Sequence, residues 1–145
     1  TGVINRIFHG YGKFEGEMDG RKNGALISMA TGKAVAFAIF NLQARGEMFV
    51  THNDPVYEGM IVGLAPKPGD MIINVMKGKQ LTNMRTQGTD ENVVLTPVRQ
   101  MSIAEQLSML NTDEALEITP KSLRLRKAIL NPNDRKKNEK SSTPL

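Results

Sequence analysis

Short apolar segments separated by glycine, proline and polar residues run through most of the chain. Segments rich in β-branched and aromatic side chains that end at such breaks are typical of β-strands. The segments that predict strands are residues 1–14 (leading into a loop), 25–29, 33–40, 47–50, 60–64, 71–75, 92–95, 116–119 and 122–126. The short break between the second and third of these predicts a hairpin. Many short strands with glycine and proline turns favour a compact α+β domain that is mostly β.

One segment clearly predicts a helix. Ser102 and Glu105 have the spacing of a capping box, in which the serine hydroxyl accepts from a backbone N–H and the glutamate reaches back. Apolar residues then recur every three to four positions as far as Leu110, which places them on one helix face. We therefore expect one short helix at about residues 102–110. Residues 41–46 predict at most one or two further helical turns.

The length and composition suit a single folded domain. The chain has 145 residues, of which 39% are hydrophobic and 23% charged, as is ordinary for a globular protein. Alternation along the predicted elements then selects candidates for the core. They are Val35, Phe37, Ile39, Leu64, Ile73, Val94 and Leu107.

The net charge of +4 is unevenly distributed along the chain. Residues 1–120 hold 11 basic and 13 acidic side chains, whereas residues 121–145 hold eight basic and two acidic ones. A basic run of this kind either meets phosphates, with salt-dependent affinity, or is a solvated chain end. Residues 131–145 are polar and lack apolar periodicity, so we expect a basic, disordered tail there.

The residues that most catalytic and metal sites require are missing. There are no cysteines, which excludes thiol chemistry and cysteine-based metal centres. No P-loop, nucleophile elbow or zinc-protease motif occurs, and His9 and His52 are too far apart to form a local ligand pair. No apolar run is long enough to span a membrane, and no basic n-region followed by an apolar h-region occurs at the start, so we expect no signal peptide in this chain. We therefore expect no catalytic residues, metal, small-molecule substrate or membrane contact in this chain.

The long polar segment at residues 77–92 calls for an explanation, because structureless loops of this length are usually functional or disordered. Lys77, Lys79 and Arg85 supply positive charge in it, and no acid appears before Asp90. Its hydrogen-bonding side chains are Thr82, Asn83, Thr86, Gln87 and Thr89. Such side chains contact phosphate and ribose oxygens, while the lack of aromatic residues argues against base stacking. The alternative is an ordinary polar loop.

The loop and several other segments resemble one protein family. KGKQLTNMRTQGTDENVVL at residues 77–95 closely resembles the carboxy-terminal domain of the BipA/TypA family of ribosome-associated translational GTPases, relatives of elongation factor G. NGALIS, GKAVAFAIFNLQARG, VYEGM and EALEITPKSLRLRK elsewhere in the chain agree with it. Gln80 stands where a second lysine is common in the family, which weakens the charge of the loop.

The resemblance implies a domain organisation. Residues 1–15 would be the end of a preceding elongation-factor-like domain, including its last strand, and residues 16–130 the family's carboxy-terminal domain. The catalytic domain, with its GTP and Mg²⁺, would lie upstream, since the chain begins Thr-Gly-Val and is expected to be a piece of a longer protein. The chain itself would need no cofactor.

The resemblance also implies a function. The domain would dock a cytoplasmic GTPase on the ribosome, in translation under stress or in ribosome assembly, with loop 77–90 reaching rRNA or the acceptor end of an A-site tRNA. The implied RNA contacts are Lys79, Asn83, Arg85 and Thr86, with Lys77 and Gln87 as weaker candidates. The alternative is a scaffold that contacts other proteins or the upstream domains of its own chain without touching RNA.

Overall fold

The computed structural model describes residues 5–14, 16, 21–78 and 94–142. Its strands are β1 (Ala25–Ser28), β2 (Gly32–Lys33), β3 (Glu47–Met48), β4 (Pro55–Val56), β5 (Ile61–Leu64), β6 (Met71–Ile73), β7 (Glu114–Ile118) and β8 (Leu123–Lys127). Its helices are α1 (Ala36–Gln43), α2 (Ile103–Ser108) and α3 (Pro132–Ser142). The mixture confirms an α+β domain. No helix within these ranges has the length and apolar character needed to cross a membrane.

A four-stranded sheet in the order β3-β5-β1-β6 forms the centre of the fold. β1 pairs antiparallel with β5 and parallel with β6, while β3 pairs antiparallel with β5. β6 therefore runs beside β1 in the same direction and delivers the chain to the start of loop 77–92 at one end of the sheet.

Both faces of the central sheet are covered, because successive side chains of a strand point to opposite sides. Leu26 of β1 packs in a cluster with Ile39 of α1, whereas Ile27 packs on the other side with Leu125 of β8. All four residues of β1 are consequently buried. Strands covered on both faces read as continuous apolar runs, which is why this segment was recognisable in the sequence.

The antiparallel ribbon of β7 and β8 joins the central sheet at a glycine. Gly59 N–H donates to Ser28 O (3.0 Å), and Gly59 O accepts from Lys127 N–H (2.9 Å). The residue has φ = 85°, in the left-handed region that favours glycine, and the backbone of Leu130 leaves no room for a side chain. An adjacent bridge between Met60 and Arg126 completes the junction.

The prediction of a hairpin over residues 25–40 is wrong in its second half. The chain forms only the two-residue strand β2 there, which pairs with β4, and then enters α1. A continuous apolar run fits a buried strand or a buried helix equally well, and alanines at 34, 36 and 38 favour the helix. Residues 41–46 hold the end of this helix rather than a separate turn.

The predictions about the two chain ends have different outcomes. Residues 5–14 adopt neither helix nor strand, whereas residues 1–4 of the predicted strand lie outside the described residues. Residues 132–142, predicted to be disordered, form helix α3. Arg135 holds its first turn by donating to Ile129 O and Leu130 O.

The other predicted strands, apart from the one at 92–95, and the predicted helix are confirmed. Each of the segments 25–29, 47–50, 60–64, 71–75, 116–119 and 122–126 contains a strand, and α2 begins at Ser102 with a complete capping box. Of the predicted core, Ile39 and Ile73 are buried, whereas Val94 is 81% exposed and Leu107 is 53% exposed. Residues 92 and 93 of the other predicted strand lie outside the described residues, and 94–95 form none.

Candidate nucleic-acid interface

The segment leading into loop 77–92 is fixed against the start of α1. Val75 is fully buried, and its carbonyl accepts from Val35 N–H at 2.9 Å. One residue earlier, the Asn74 side chain accepts from Met76 N–H at 2.9 Å, which closes a local turn. Lys77 follows directly and is exposed. The first cation of the loop therefore projects from a rigid base.

The segment that leaves the loop is fixed against the other end of α1. The Gln43 amide donates to Thr96 O (2.8 Å) and accepts from Thr96 N–H (3.1 Å). Gln43 is the last residue of α1, and Val35 immediately precedes the first. Eight helical residues span about 12 Å, so both bases of the loop are held about that far apart.

The amino end of α1 is capped from a distant loop. Ala36 N–H, which has no partner inside the helix, donates to His52 Nδ1 at 3.2 Å. This bond gives His52 a structural part in positioning the helix that carries both loop bases.

An ion cluster around the buried Lys127 and Glu114 holds the β7–β8 ribbon against the sheet. Lys127 Nζ lies 2.5 Å from Asp70 Oδ2, 2.7 Å from Asp113 Oδ2 and 3.0 Å from Glu114 Oε1. Glu114 in turn receives both outer nitrogens of Arg21, at 2.8 and 3.1 Å. The ammonium group thus ties the turn before β6 to the ribbon.

The ion cluster shifts the pKa values of two of its members, Asp70 and Lys127. Burial alone would raise the pKa of Asp70, but hydrogen bonds from Lys127 Nζ and Ala25 N–H outweigh it and hold the pKa below 3.8. Burial would likewise lower the pKa of Lys127, yet hydrogen bonds to its three carboxylates raise it above 10.5. Both side chains are therefore charged throughout the neutral range.

A tyrosine connects the ribbon to the segment after β4. Tyr57 Oη donates to Glu117 Oε2 at 2.6 Å. Burial, the hydrogen bond to Glu117 and the negative charge of that residue raise the pKa of Tyr57 to about 12. The phenol is thus a permanent donor in this contact.

A family model provides the comparison that decides the family. The model of the TypA/BipA C-terminal domain matches residues 23–132, which contain the central sheet, α1, α2 and the ribbon. The chain belongs to the TypA/BipA family.

Curated relatives agree with this TypA/BipA assignment. The chain is 49% identical to the "Large ribosomal subunit assembly factor BipA" of Buchnera aphidicola, with 100% of the chain and 24% of the relative covered. It is 46% identical to the protein of that name from Salmonella typhimurium, covering 94% of the chain and 23% of the relative. For the Haemophilus influenzae protein the identity is 42%, covering 99% of the chain and 23% of the relative. The chain spans about a quarter of the length of these relatives.

Most residues predicted to contact RNA in this TypA/BipA domain lie outside the described residues. They are Lys79, Asn83, Arg85, Thr86 and Gln87. Only Lys77 is described, and it is exposed at the base of the loop. Sequence reasoning missed Gln43 and His52, since no local pattern signals a side chain that bonds a backbone group 53 or 16 positions away.

Proposed function

We propose that this chain is the ribosome-docking, RNA-binding module of a translational GTPase that acts in large ribosomal subunit assembly. Membership of the TypA/BipA family supports the proposal, as do the relatives named as assembly factors of that subunit. The parent protein would work in the cytoplasm and carry its GTP and Mg²⁺ in a domain upstream of this one. A part in translation under stress is compatible with the same docking role.

The anchoring of the loop carries the proposal. A polar loop with three cations before its first acid leaves and rejoins the fold at opposite ends of α1, with each base hydrogen-bonded. Fixed bases reduce the conformational entropy that the loop loses when it binds. Lysine and arginine neutralise phosphates, and asparagine and threonine hydrogen-bond ribose or backbone oxygens. Loop 77–90 is thus suited to reading the backbone of rRNA or of the acceptor end of an A-site tRNA.

The proposal is tested by Lys79→Ala combined with Arg85→Ala in the intact protein, with ribosome pelleting at several salt concentrations. Each phosphate contact that is lost should flatten the plot of log affinity against log salt by about 0.7 to 0.9. We expect weaker binding together with a flatter slope in the double variant.

The matched control is Lys22→Ala combined with Lys67→Ala. Both lysines are exposed, and Lys67 precedes β6 whereas the loop follows it, so the control removes the same charge near the opposite end of the sheet. An affinity and slope of the loop variant equal to those of this control would refute the proposed RNA contact.

One observation favours the alternative, a scaffold that contacts its own upstream domains. Four large side chains at residues 5–14 are exposed: Ile7 by 91%, Phe8 by 78%, Tyr11 by 99% and Phe14 by 77%. The rings of Phe8 and Tyr11 meet edge to face at 5.5 Å. Apolar side chains this exposed are typical of a contact surface. If scaffolding is the whole function, the loop variant will bind ribosomes normally and the salt dependence will be shallow.

A further inference from the structure

A groove of about 880 Å³ lies between α2, residues 98–101 and the turn that joins β7 to β8. Its apolar floor consists of Phe49, Met60, Ile61, Met101, Leu123 and Leu125. The volume is within the range of binding sites that enclose most of a ligand. Phe49, Ile61, Met101 and Leu125 belong to the cluster on the sheet face opposite α1, whereas Met60 belongs to the cluster that contains Ile39 of α1.

Helix α2 turns apolar side chains outward beside this groove. Ile103 is 48% exposed and lines the groove, and Leu107, one turn further on, is 53% exposed. Gln106 takes the inward position and is only 8% exposed. Helix α2 thus turns Gln106 toward the core and Ile103 and Leu107 away from it. These two apolar side chains are therefore available to a partner.

The inward glutamine lacks a partner for its acceptor. Gln106 Nε2 donates to Met101 O at 3.3 Å, but Oε1 is shielded from solvent and accepts no hydrogen bond from the described residues. A buried acceptor without a donor is destabilising, so an N–H group that entered the floor of the groove would be favoured there.

One wall of the groove is irregular backbone whose hydrogen-bonding groups have no partner among the described residues. Val98 and Gln100 belong to neither helix nor strand, and their backbone groups make no hydrogen bond to any described residue. Backbone groups without partners can pair with those of an added peptide segment. Aromatic faces for base stacking are limited to the half-buried Phe49, so a polypeptide suits the groove better than RNA.

Three of the four charged side chains that line the groove are basic, namely Arg99, Lys121 and Arg124, against the single acid Asp54. Arg99 pairs with Glu105 at 3.0 Å and Arg124 pairs with Glu117 at 3.4 Å. Lys121, in the turn between β7 and β8, is exposed and has no ion-pair partner among the described residues. The one lining acid, Asp54, accepts from Thr51 N–H at 2.8 Å.

We propose that this groove binds an extended, acidic polypeptide segment of a partner protein, in which apolar side chains fill the floor and carboxylates face Lys121. The backbone of the segment pairs with residues 98–100, and one of its N–H groups satisfies Gln106 Oε1. This protein contact is separate from the proposed RNA contact of loop 77–90.

Fluorescence anisotropy with the intact protein tests the groove, using a labelled decapeptide of alternating leucine and glutamate as the probe. Lys121→Glu should weaken binding about threefold to fivefold, as expected for one exposed ion pair. Gln106→Leu should weaken it about fivefold through loss of the acceptor, without lowering the melting temperature. Lys67→Glu, an equal charge change outside the groove, should leave the affinity unchanged.

Three comparisons can overturn the proposal. A leucine–lysine decapeptide that binds as tightly as the acidic one would exclude the charge preference, and a uridine decamer that displaces the acidic peptide would make the groove an RNA site. Absence of peptide binding, or equal affinities for Lys121→Glu and Lys67→Glu, would also refute it. Because Lys79→Ala with Arg85→Ala changes none of the described residues that line the groove, that variant should bind the peptide normally whether or not the RNA proposal holds.

Discussion

Lys127 shows at the scale of one residue that a charge counted along the sequence need not be a surface charge. It belongs by composition to the basic carboxy-terminal run, yet only 1% of the residue is exposed. Like Leu125, two positions earlier, it lies on the inward side of β8. Three carboxylates converge there on its ammonium group. A buried ammonium is tolerable only with such partners. No local pattern revealed them, because Asp70 is 57 positions away in the chain.

Replacing Lys127 with Met should destabilise the fold by about 2 to 3 kcal/mol. The buried Glu114 keeps Arg21, and the side chains of Asp70 and Asp113 are 35% and 59% exposed, so rehydration recovers part of the loss. Urea unfolding measures the difference. Lys121→Met removes an exposed lysine near the same ribbon and should change stability by less than about 0.5 kcal/mol. Equal effects of the two substitutions would show that the ion cluster contributes nothing.

The contribution of Asp70 should depend on pH in a defined direction. Its pKa in the folded state lies below 3.8, so its stabilising effect is present above that pH and is lost as the pH falls through the folded value. Lys127, with its pKa raised above 10.5, loses its contribution only as the solution becomes more alkaline than that. The stability difference between the wild type and Asp70→Asn should therefore be constant near neutrality and shrink below pH 3.8. A difference that grows on acidification would contradict the assignment.

At the scale of elements, the sequence predicted those with a distinctive local pattern. The capping box identified the start of α2, and alternation identified β7 and β8, because these signals depend on neighbouring residues alone. The apolar run at 33–40 carried no periodicity, so its helical state was decided by packing of Ala38 and Ile39 against the sheet. The sequence also did not predict which face of α2 is buried. Its apolar pattern placed Leu107 in the core, whereas the buried side chain is that of Gln106. The loop was recognisable from composition, but its attachment to α1 was not.

Gln43→Leu should release the exit from the loop without unfolding α1. The substitution keeps a good helix former at the last helical position but removes both hydrogen bonds to Thr96. We expect faster hydrogen exchange at the Thr96 amide, with little change in the global free energy of unfolding. Asn41→Leu is the matched control, because the one hydrogen bond of the Asn41 side chain to a described residue goes to Phe37 O within the same helix. Unchanged exchange at Thr96 would show that Gln43 does not anchor the loop.

At the scale of the whole molecule, the basic surplus of residues 121–145 is partly used within the fold. Lys127 is buried, Arg124 pairs with Glu117, Arg126 donates to the backbone of residues 127 and 128, and Arg135 holds the start of α3. The exposed lysines of α3 project from a helix that is polar on all sides. Within this helix, Lys137 lies 3.7 Å from Asp134. The net charge of the chain therefore says little about where RNA would bind.

Truncation after Arg135 separates the loop from the tail as the source of ribosome affinity. The truncated chain keeps the bonds of Arg135 to Ile129 O and Leu130 O but loses Lys136, Lys137 and Lys140. Helix α3 starts on the ribbon side of the fold, whereas the loop bases sit on α1. We therefore expect the truncation, made in the otherwise intact protein, to change ribosome affinity in a pelleting assay by less than about twofold and to leave the salt slope the same. The double substitution at Lys79 and Arg85 should flatten the slope in the same assay. The reverse result, a truncated protein that fails to bind and a loop variant that binds normally, would assign the RNA contact to α3.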